Sequence, residues 1–272
     1  MGQQQVAKGM GSIPCADGVA FRVWAPNAKR VAVIGTFNGW DGSVTPMQPE
    51  KGGYWYTKVA NAGVADQYKY AIGTERETIA RIDPYAHEVT SSAGNTVIHD
   101  PSFDWETDSF SMHGWNELVI YELHVGTFND ESNSPGKFIS ITARLDYLKR
   151  IGINAIQIMP VGQFAGMRSW GYNPSNIFAV DSDYGGSLGF KQFIKESHAA
   201  GIAVILDVVY NHFGPSDLDL WQFDGWHENN KGGIYFYNDH RALTPWGETR
   251  PDYGRGEVRQ CILDNVRMWI NE

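Results

Sequence analysis

Cysteine is scarce. The 272 residues hold two, Cys15 and Cys261, far apart and in no metal-ligand spacing. A disulfide framework is not indicated, and a reducing cytoplasm is the default location. Long apolar runs are missing as well. No stretch approaches the ~18 residues that a membrane-spanning helix needs. The opening MGQQQVAKGMGSIPC has no apolar core of a secretory signal. No membrane partner is expected. Positive charge is in the minority, with 22 Lys+Arg against 31 Asp+Glu and a formal net charge of −9. The basic residues form no dense patch, which argues against a nucleic-acid partner. A polyanionic substrate is disfavoured too, and a neutral one fits better.

What the chain does have is aromatic surface: 10 Trp, 13 Tyr and 13 Phe. Many Trp and Tyr lie close to Asp, Asn and His. A flat apolar face beside hydrogen-bonding groups suits a sugar, although aromatics also fill ordinary cores. The composition, 42% hydrophobic and 19% charged, is that of a folded protein, and the length suggests about two domains.

Residues 1–17 are Gly/Gln-rich and are expected to fray. From residue 18 to about 104 the period is two. Val19, Phe21 and Val23 alternate with Ala20 and Arg22, and similar runs recur at residues 30–34, 54–59 and 67–71. Turn residues separate them, as in Asn38-Gly39-Trp40-Asp41-Gly42. Short strands at this spacing predict a small antiparallel β-sandwich. Residues 105–116 carry no period and read as a linker.

From residue 117 onward, strand and helix patterns alternate. Strand-like runs cover 118–125, 154–161 and 202–209. Helical stripes cover 140–151, 188–200 and 257–272, the first two followed by Gly152 and Gly201. Three such repeats imply parallel neighbours with right-handed crossovers. The run at 202–209 is apolar and β-branched, with one charge, Asp207. Such a run predicts a strand buried on both faces. A carboxylate there is costly unless it is partnered. Asp207 stands near the strand's carboxyl end, with Asn211 and His212 just beyond. That is where parallel sheets gather functional groups. The bland alternative is a structural, salt-bridged Asp.

Two resemblances add to this reading. FRVWAPNAKRVAVIGTFNGWDG, with GGYWYTKV and QYKYAI, resembles the glycogen-binding type of β-sandwich. That resemblance implies glucan contacts from Trp40 and Lys69. Where the family has a second platform Trp, this chain reads Gly73-Thr74-Glu75-Arg76. The alternative for Trp40 is a residue that packs its own turn. IYELHVGTF, then WGYNP with FAVDSDYGG, then DVVYNHFGP resemble the α-amylase superfamily from about residue 116 onward. The implied fold is an immunoglobulin-like β-sandwich followed by an incomplete (β/α)8 TIM barrel, its first three strand–helix units. The resemblance assigns Tyr172 to stack on the glucose at the cleavage point. It assigns Asp207 and His212 to hydrogen-bond that sugar, and Asn211 to hold the loop. As structural alternatives, Tyr172 is a loop aromatic over the rim and His212 a satisfied loop histidine.

The layout is closest to the 1,4-α-glucan branching enzymes, and trehalohydrolases and debranching enzymes share it. The implied partner is an α-1,4-glucan. No cofactor or metal is expected. The nucleophile and acid/base of the family lie on strands four and five, so both are expected beyond Glu272 and the chain alone is expected to be inactive. The long loop 213–256, with Trp221, Trp226 and Trp246, is expected over the acceptor side of the cleft, unless its Trp residues form a private core. Uncovered edges of a part-barrel predict self-association. The rival reading is a non-catalytic glucan-binding protein.

Overall fold

The computed structural model describes residues 7–106, 109–130 and 134–272. Residues 1–6 of the expected frayed start and 107–108 of the expected linker lie outside the described residues.

The first part contains strands β1 (Gly11–Cys15), β2 (Gly18–Trp24), β3 (Arg30–Gly35), β4 (Gln48–Pro49), β5 (Tyr54–Val59), β6 (Gln67–Gly73), β7 (Thr78–Arg81) and β8 (Thr96–Val97). One sheet runs β1-β2-β5-β4 and the other β3-β6-β7, with β8 also on β6. Every pairing in the two sheets is antiparallel. The period-two pattern explains the layers. Val31 faces Ile72 and Val33 faces Tyr70 across β3 and β6, and all four are buried. Val19, Phe21 and Val23 of β2 join the same core. Burying a side chain such as Phe21 contributes about 2–3 kcal/mol. Buried Asp83 is partnered: its Oδ2 accepts from Tyr68 at 2.5 Å and Tyr70 at 2.9 Å.

The second part begins with β9 (Ile120–Leu123), α1 (Phe138–Thr142), α2 (Leu145–Arg150) and β10 (Ala155–Ile158). It continues with β11 (Gly162–Phe164), β12 (Pro174–Val180), α3 (Gly186–Ala199), β13 (Ala203–Leu206) and α4 (Gly256–Asn271). Strands β9, β10 and β13 form a parallel sheet with β10 in the middle. In register, Glu122 lies beside Gln157 and Gln157 beside Ile205. Alternation sends Leu123, Ile156 and Ile158 to the opposite face, where they pack with Phe138, Ile141, Leu148 and Phe193.

The structure corrects several expectations. Residues 11–15 are a strand paired to β2, not a frayed end. The helix expected over 140–151 is two short helices. Arg144 leaves helical geometry (φ −114°, ψ 3°), and its guanidinium is drawn to Asn129 Oδ1 at 2.9 and 3.1 Å. The loop expected after the second parallel strand holds the hairpin β11–β12. The strand expected over 202–209, buried on both faces, is a strand over Ala203–Leu206, and Val204, Ile205 and Leu206 are half-buried. The physical reason is position: β13 is an edge, with β10 as its sheet partner. Described linker residues are held in place. Lys195 pairs with Glu106 at 2.8 Å and His113 Nε2 donates to Gly201 O, while just before the linker Lys191 donates to Pro101 O and Lys195 to Asp104 O, which lays the segment along α3.

Loop 213–256 fuses the two parts. Leu220, Phe223, Ile234, Tyr235 and Phe236 complete a core that includes Trp24 and Val31 of the sandwich. Arg81 donates to the carbonyls of Trp221, Gln222 and Phe223, and Asp219 accepts from Ile82 N at 2.6 Å.

Candidate substrate site

The site is assembled at the carboxyl ends of β10 and β13. Asp207 follows β13 directly, and its N–H still donates to Ile158 O at 3.0 Å. It therefore continues the alternation of the sheet. Its side chain lies on the face of Glu122, Gln157 and Ile205, away from the helices. On that face Gln157 Nε2 donates to Glu122 Oε1 at 3.2 Å.

Tyr172 comes from the loop between β11 and β12. Its hydroxyl donates to Asp207 Oδ2 at 2.7 Å. That hydrogen bond, helped by burial, pushes the phenol up to about 12. It therefore stays a proton donor across the neutral range. The loop is held from several sides. Gly171 has φ +86°, and a Cβ there would sit 2.0 Å from Pro160 O. Gly171 N donates to Ser169 Oγ at 3.0 Å, and the Ser169 hydroxyl also bonds Asn173 Oδ1. His124 Nε2 lies 2.7 Å from Ser169 O and 2.9 Å from the Tyr184 hydroxyl. A carbonyl only accepts, so Nε2 carries a proton, and Nδ1 lies 3.0 Å from Thr127 Oγ1.

His212 is buried, and burial pushes its pKa down, opposed by a hydrogen bond with the Tyr172 backbone. The imidazole is neutral at pH 7. It pairs with the Asn211 side chain and stacks on Trp246, with ring centroids 4.7 Å apart and planes 12° from parallel. Below it, buried Asn265 ties α4 to the rim. It accepts from Tyr210 at 2.7 Å and Trp269 at 3.0 Å, and donates to Ile177 O.

Tyr172, Asp207, Asn211 and His212 are thus brought together. They form an open ledge. A small hollow beside Asp207, between Pro160, Gly171 and Tyr210, has room for about one water. Among the described residues no group of three or more His, Cys, Asp or Glu is placed to hold a metal.

Trp40 and Lys69 sit apart, on the sandwich. Trp40 adopts φ +65°, and Asn38 Oδ1 accepts from its N–H at 3.1 Å. The turn folds back so that Gly42 lies against Ile34, the residue paired with Lys69. Trp40 is 39% exposed. The three loop tryptophans divide. Trp221 packs on Phe236, and Trp226 lies under the Arg255 guanidinium. Of the three, Trp246 is the one at the ledge, so the expectation that the whole loop covers the cleft is corrected: most of it serves the seam with the sandwich. The sequence gives Trp246 no role apart from Trp221 and Trp226.

Comparison with known families gives two matches. Residues 9–86 match carbohydrate-binding module 48 (isoamylase N-terminal domain), and residues 107–241 match the alpha amylase catalytic domain. The chain is a family 48 carbohydrate-binding module followed by part of an α-amylase catalytic domain. It is 39% identical over 258 residues to the malto-oligosyltrehalose trehalohydrolase of Saccharolobus solfataricus, covering 94% of this chain and 42% of that protein. It is 34% identical over 269 residues to the 1,4-alpha-glucan branching enzyme GlgB of Pseudoalteromonas atlantica, covering 93% of this chain and 36% of that one. The pullulanase of Anoxybacillus sp. LM18-11, solved with maltotetraose, superposes with a TM-score of 0.81 at 25% identity, over 97% of this chain and 44% of its own. The chain spans about two fifths of the length of such relatives. Among the described residues no helix is long and apolar enough to cross a membrane.

Proposed function

We propose that this carbohydrate-binding module and part-barrel belong to a retaining enzyme that acts on α-1,4-glucans. The observation that carries the reading is the ledge itself. A phenol, a carboxylate and a neutral imidazole from two successive strand exits converge on one place. Sugars need this mixture: a flat face for the ring and a donor–acceptor set for its hydroxyls. Tyr172 would stack on the glucose at the cleavage point. Asp207 and His212 would hydrogen-bond its hydroxyls, and Asn211 would hold His212. Trp40 and Lys69 would form a separate glucan contact on the sandwich, taken as residues 18–104 joined through 105–116 to the part-barrel.

Retaining hydrolysis or transfer needs a nucleophile and an acid/base about 5 Å apart. The described residues supply three parallel strands of the eight that a closed barrel uses. In the resembled family those two carboxyls stand on later strands. Asp207 orients substrate, and the 272-residue chain alone would bind without turnover.

The preferred activity is 1,4-α-glucan branching, with transfer of the cut chain to a sugar 6-hydroxyl in glycogen or starch metabolism. A second reading, hydrolysis as in a malto-oligosyltrehalose trehalohydrolase, is favoured by the higher identity of 39% against 34%. Calorimetric titration of maltoheptaose into the chain tests the glucan reading. Binding is expected, and Asp207→Asn should weaken it by about tenfold, roughly the loss of one charge-assisted hydrogen bond. No heat from the unsubstituted chain would defeat the reading. Linkage analysis of products from an enzyme containing the whole barrel separates branching from hydrolysis.

A further inference from the structure

Asparagine is a poor residue for the middle of a helix, and a buried amide is costly unless it is paired. Asn265 stands inside α4 and is 1% exposed. Its surroundings fix the amide. The Tyr210 hydroxyl at 2.7 Å and Trp269 Nε1 at 3.0 Å meet the same atom. An indole N–H only donates, so that atom is Oδ1. Ile177 O, 2.9 Å from the other end of the amide, only accepts, so it faces Nδ2. Burial pushes the Tyr210 phenol up to about 12, so it remains a donor at neutral pH. The two ends of the amide are therefore not interchangeable.

The two partners outside α4 lead to the two halves of the ledge. Tyr210 lies between Asp207 and His212, in a stretch that follows β13 and has no regular structure. Its hydroxyl is held by Asn265, and its carbonyl accepts from the Tyr253 hydroxyl at 2.6 Å. Ile177 belongs to β12, which starts two residues after Tyr172. Gly214 N donates to Pro174 O at 2.8 Å and joins the same two chain segments again, just past His212. One side chain thus reaches from β12 to the stretch that carries Asp207. Asn265 and Asp207 also line the same small hollow.

We propose that Asn265 is a positioning residue of the ledge. By accepting from Tyr210 and donating to Ile177 O, it sets where Asp207 and His212 stand relative to Tyr172. It touches no substrate. The proposal rests on the glucan reading and adds a residue that acts through the ledge, not on the sugar. The 2.7 Å bond between the Tyr172 phenol and Asp207 tolerates little displacement, so a loosened Tyr210 is felt there first.

Two readouts test this. The nuclear magnetic resonance signal of Tyr172 Cζ, assigned by its loss in Tyr172→Phe, reports the bond to Asp207 without any ligand. Maltoheptaose titration reads the consequence, in a Trp40→Ala background so that the sandwich adds no signal. Tyr210→Phe removes one hydroxyl and keeps the ring. It should shift the Tyr172 signal and weaken maltoheptaose by about fivefold, the worth of one neutral hydrogen bond. Asn265→Leu should do both more strongly; where it folds poorly, Tyr210→Phe carries the test. Tyr85→Phe is the control. It deletes a phenol hydroxyl 3.3 Å from Asp264, the neighbour of Asn265 on α4, but from the sandwich. It should leave signal and affinity unchanged. An unmoved Tyr172 signal or full affinity in Tyr210→Phe, or equal effects from Tyr85→Phe, would overturn the positioning role and leave the glucan reading standing. A signal shifted by Tyr210→Phe in a background chain that binds no maltoheptaose would uphold the hold of Asn265 on Tyr172 and defeat the glucan reading.

Discussion

Asn27 of the sandwich meets Asp224 of the barrel loop twice, its backbone N–H and its side-chain amide both donating to Oδ2 at 2.9 Å. Asp224 is buried, and its Oδ1 also accepts from Trp226 N at 3.2 Å. One carboxylate thus satisfies donors on both sides of the seam. Asp224→Ala would remove that shared acceptor. Asn27 is exposed and its donors can turn to water, so a cost of about 1.5–3 kcal/mol is expected, the net worth of hydrogen bonding to a charged group. Urea unfolding should show one transition at a lower midpoint. A midpoint within error of the unsubstituted chain would mean that the seam adds no stability.

Gly171 is the residue on which the Tyr172 loop turns. Its φ of +86° suits glycine, and a Cβ would be driven into Pro160 O. Gly171→Ala must therefore move the loop and take the phenol away from Asp207. Maltoheptaose binding should fall by at least as much as in Asp207→Asn, since both partners lose their place. The loop is peripheral to the core, so the melting temperature should drop by only a few degrees, as expected for about 1–2 kcal/mol. Full binding by this variant would show that Tyr172 does not act from its observed position.

Much of this was legible in the sequence, and the misses have physical causes. Alternation in residues 19–23 and 31–33 exposed the sandwich because every second side chain faces its core; on β3 the others, Arg30, Ala32 and Ile34, are half-buried or exposed, whereas on β2 Ala20 is buried too. β12 was missed because all seven of its residues are buried, so Pro174–Val180 shows no alternation to read. The strand at Ala203–Leu206 was overdrawn because an apolar run reports composition, not how many neighbours the strand has. Tyr172, Asp207 and His212 were legible only through the resemblance of their motifs. Nothing in their spacing says that residues 35 apart share a hydrogen bond. Trp246 was not separable from Trp221 and Trp226, because its difference lies in the turn that aims it at His212.

Asp181 gives the chain a pH dependence with a definite sign. It is buried, and burial raises its carboxyl to about 6, opposed by the hydrogen bond from Asp183 N. The folded value lies above the unfolded one near 4. The native state therefore holds more protons between about pH 4 and pH 6. Its stability from this group is greatest below that window and declines as pH rises through it. Two units correspond to roughly 3 kcal/mol at about 1.4 per unit. Buried Asp83 is shifted the same way and steepens the trend. Asp181→Asn should flatten the slope of unfolding free energy over pH 4–6, whatever it does to absolute stability through Gln163, which donates to Oδ2. An unchanged slope would show that the buried carboxyl does not titrate there.

The outer strands of the parallel sheet bear on how the chain behaves alone. β9 and β13 each pair with β10, so among the described residues each keeps one edge of backbone donors and acceptors without a sheet partner. On β9 that edge carries Ile120 and Tyr121, exposed, with Val119 beside them. Leu263 and Ile270 of α4 are exposed as well. In a complete barrel further strands and helices would cover such surfaces. Alone, the edge is a template for another chain, because added strand pairing satisfies the backbone and buries the apolar row together. Light scattering on a size-exclusion column should give a mass that rises with concentration above the 30.4 kDa of one chain. Ile120→Lys places a charge on the edge, where pairing would desolvate it, and should shift the mass back toward one chain. A steady 30.4 kDa at all concentrations would mean that the β9 edge is protected by the chain's own loops.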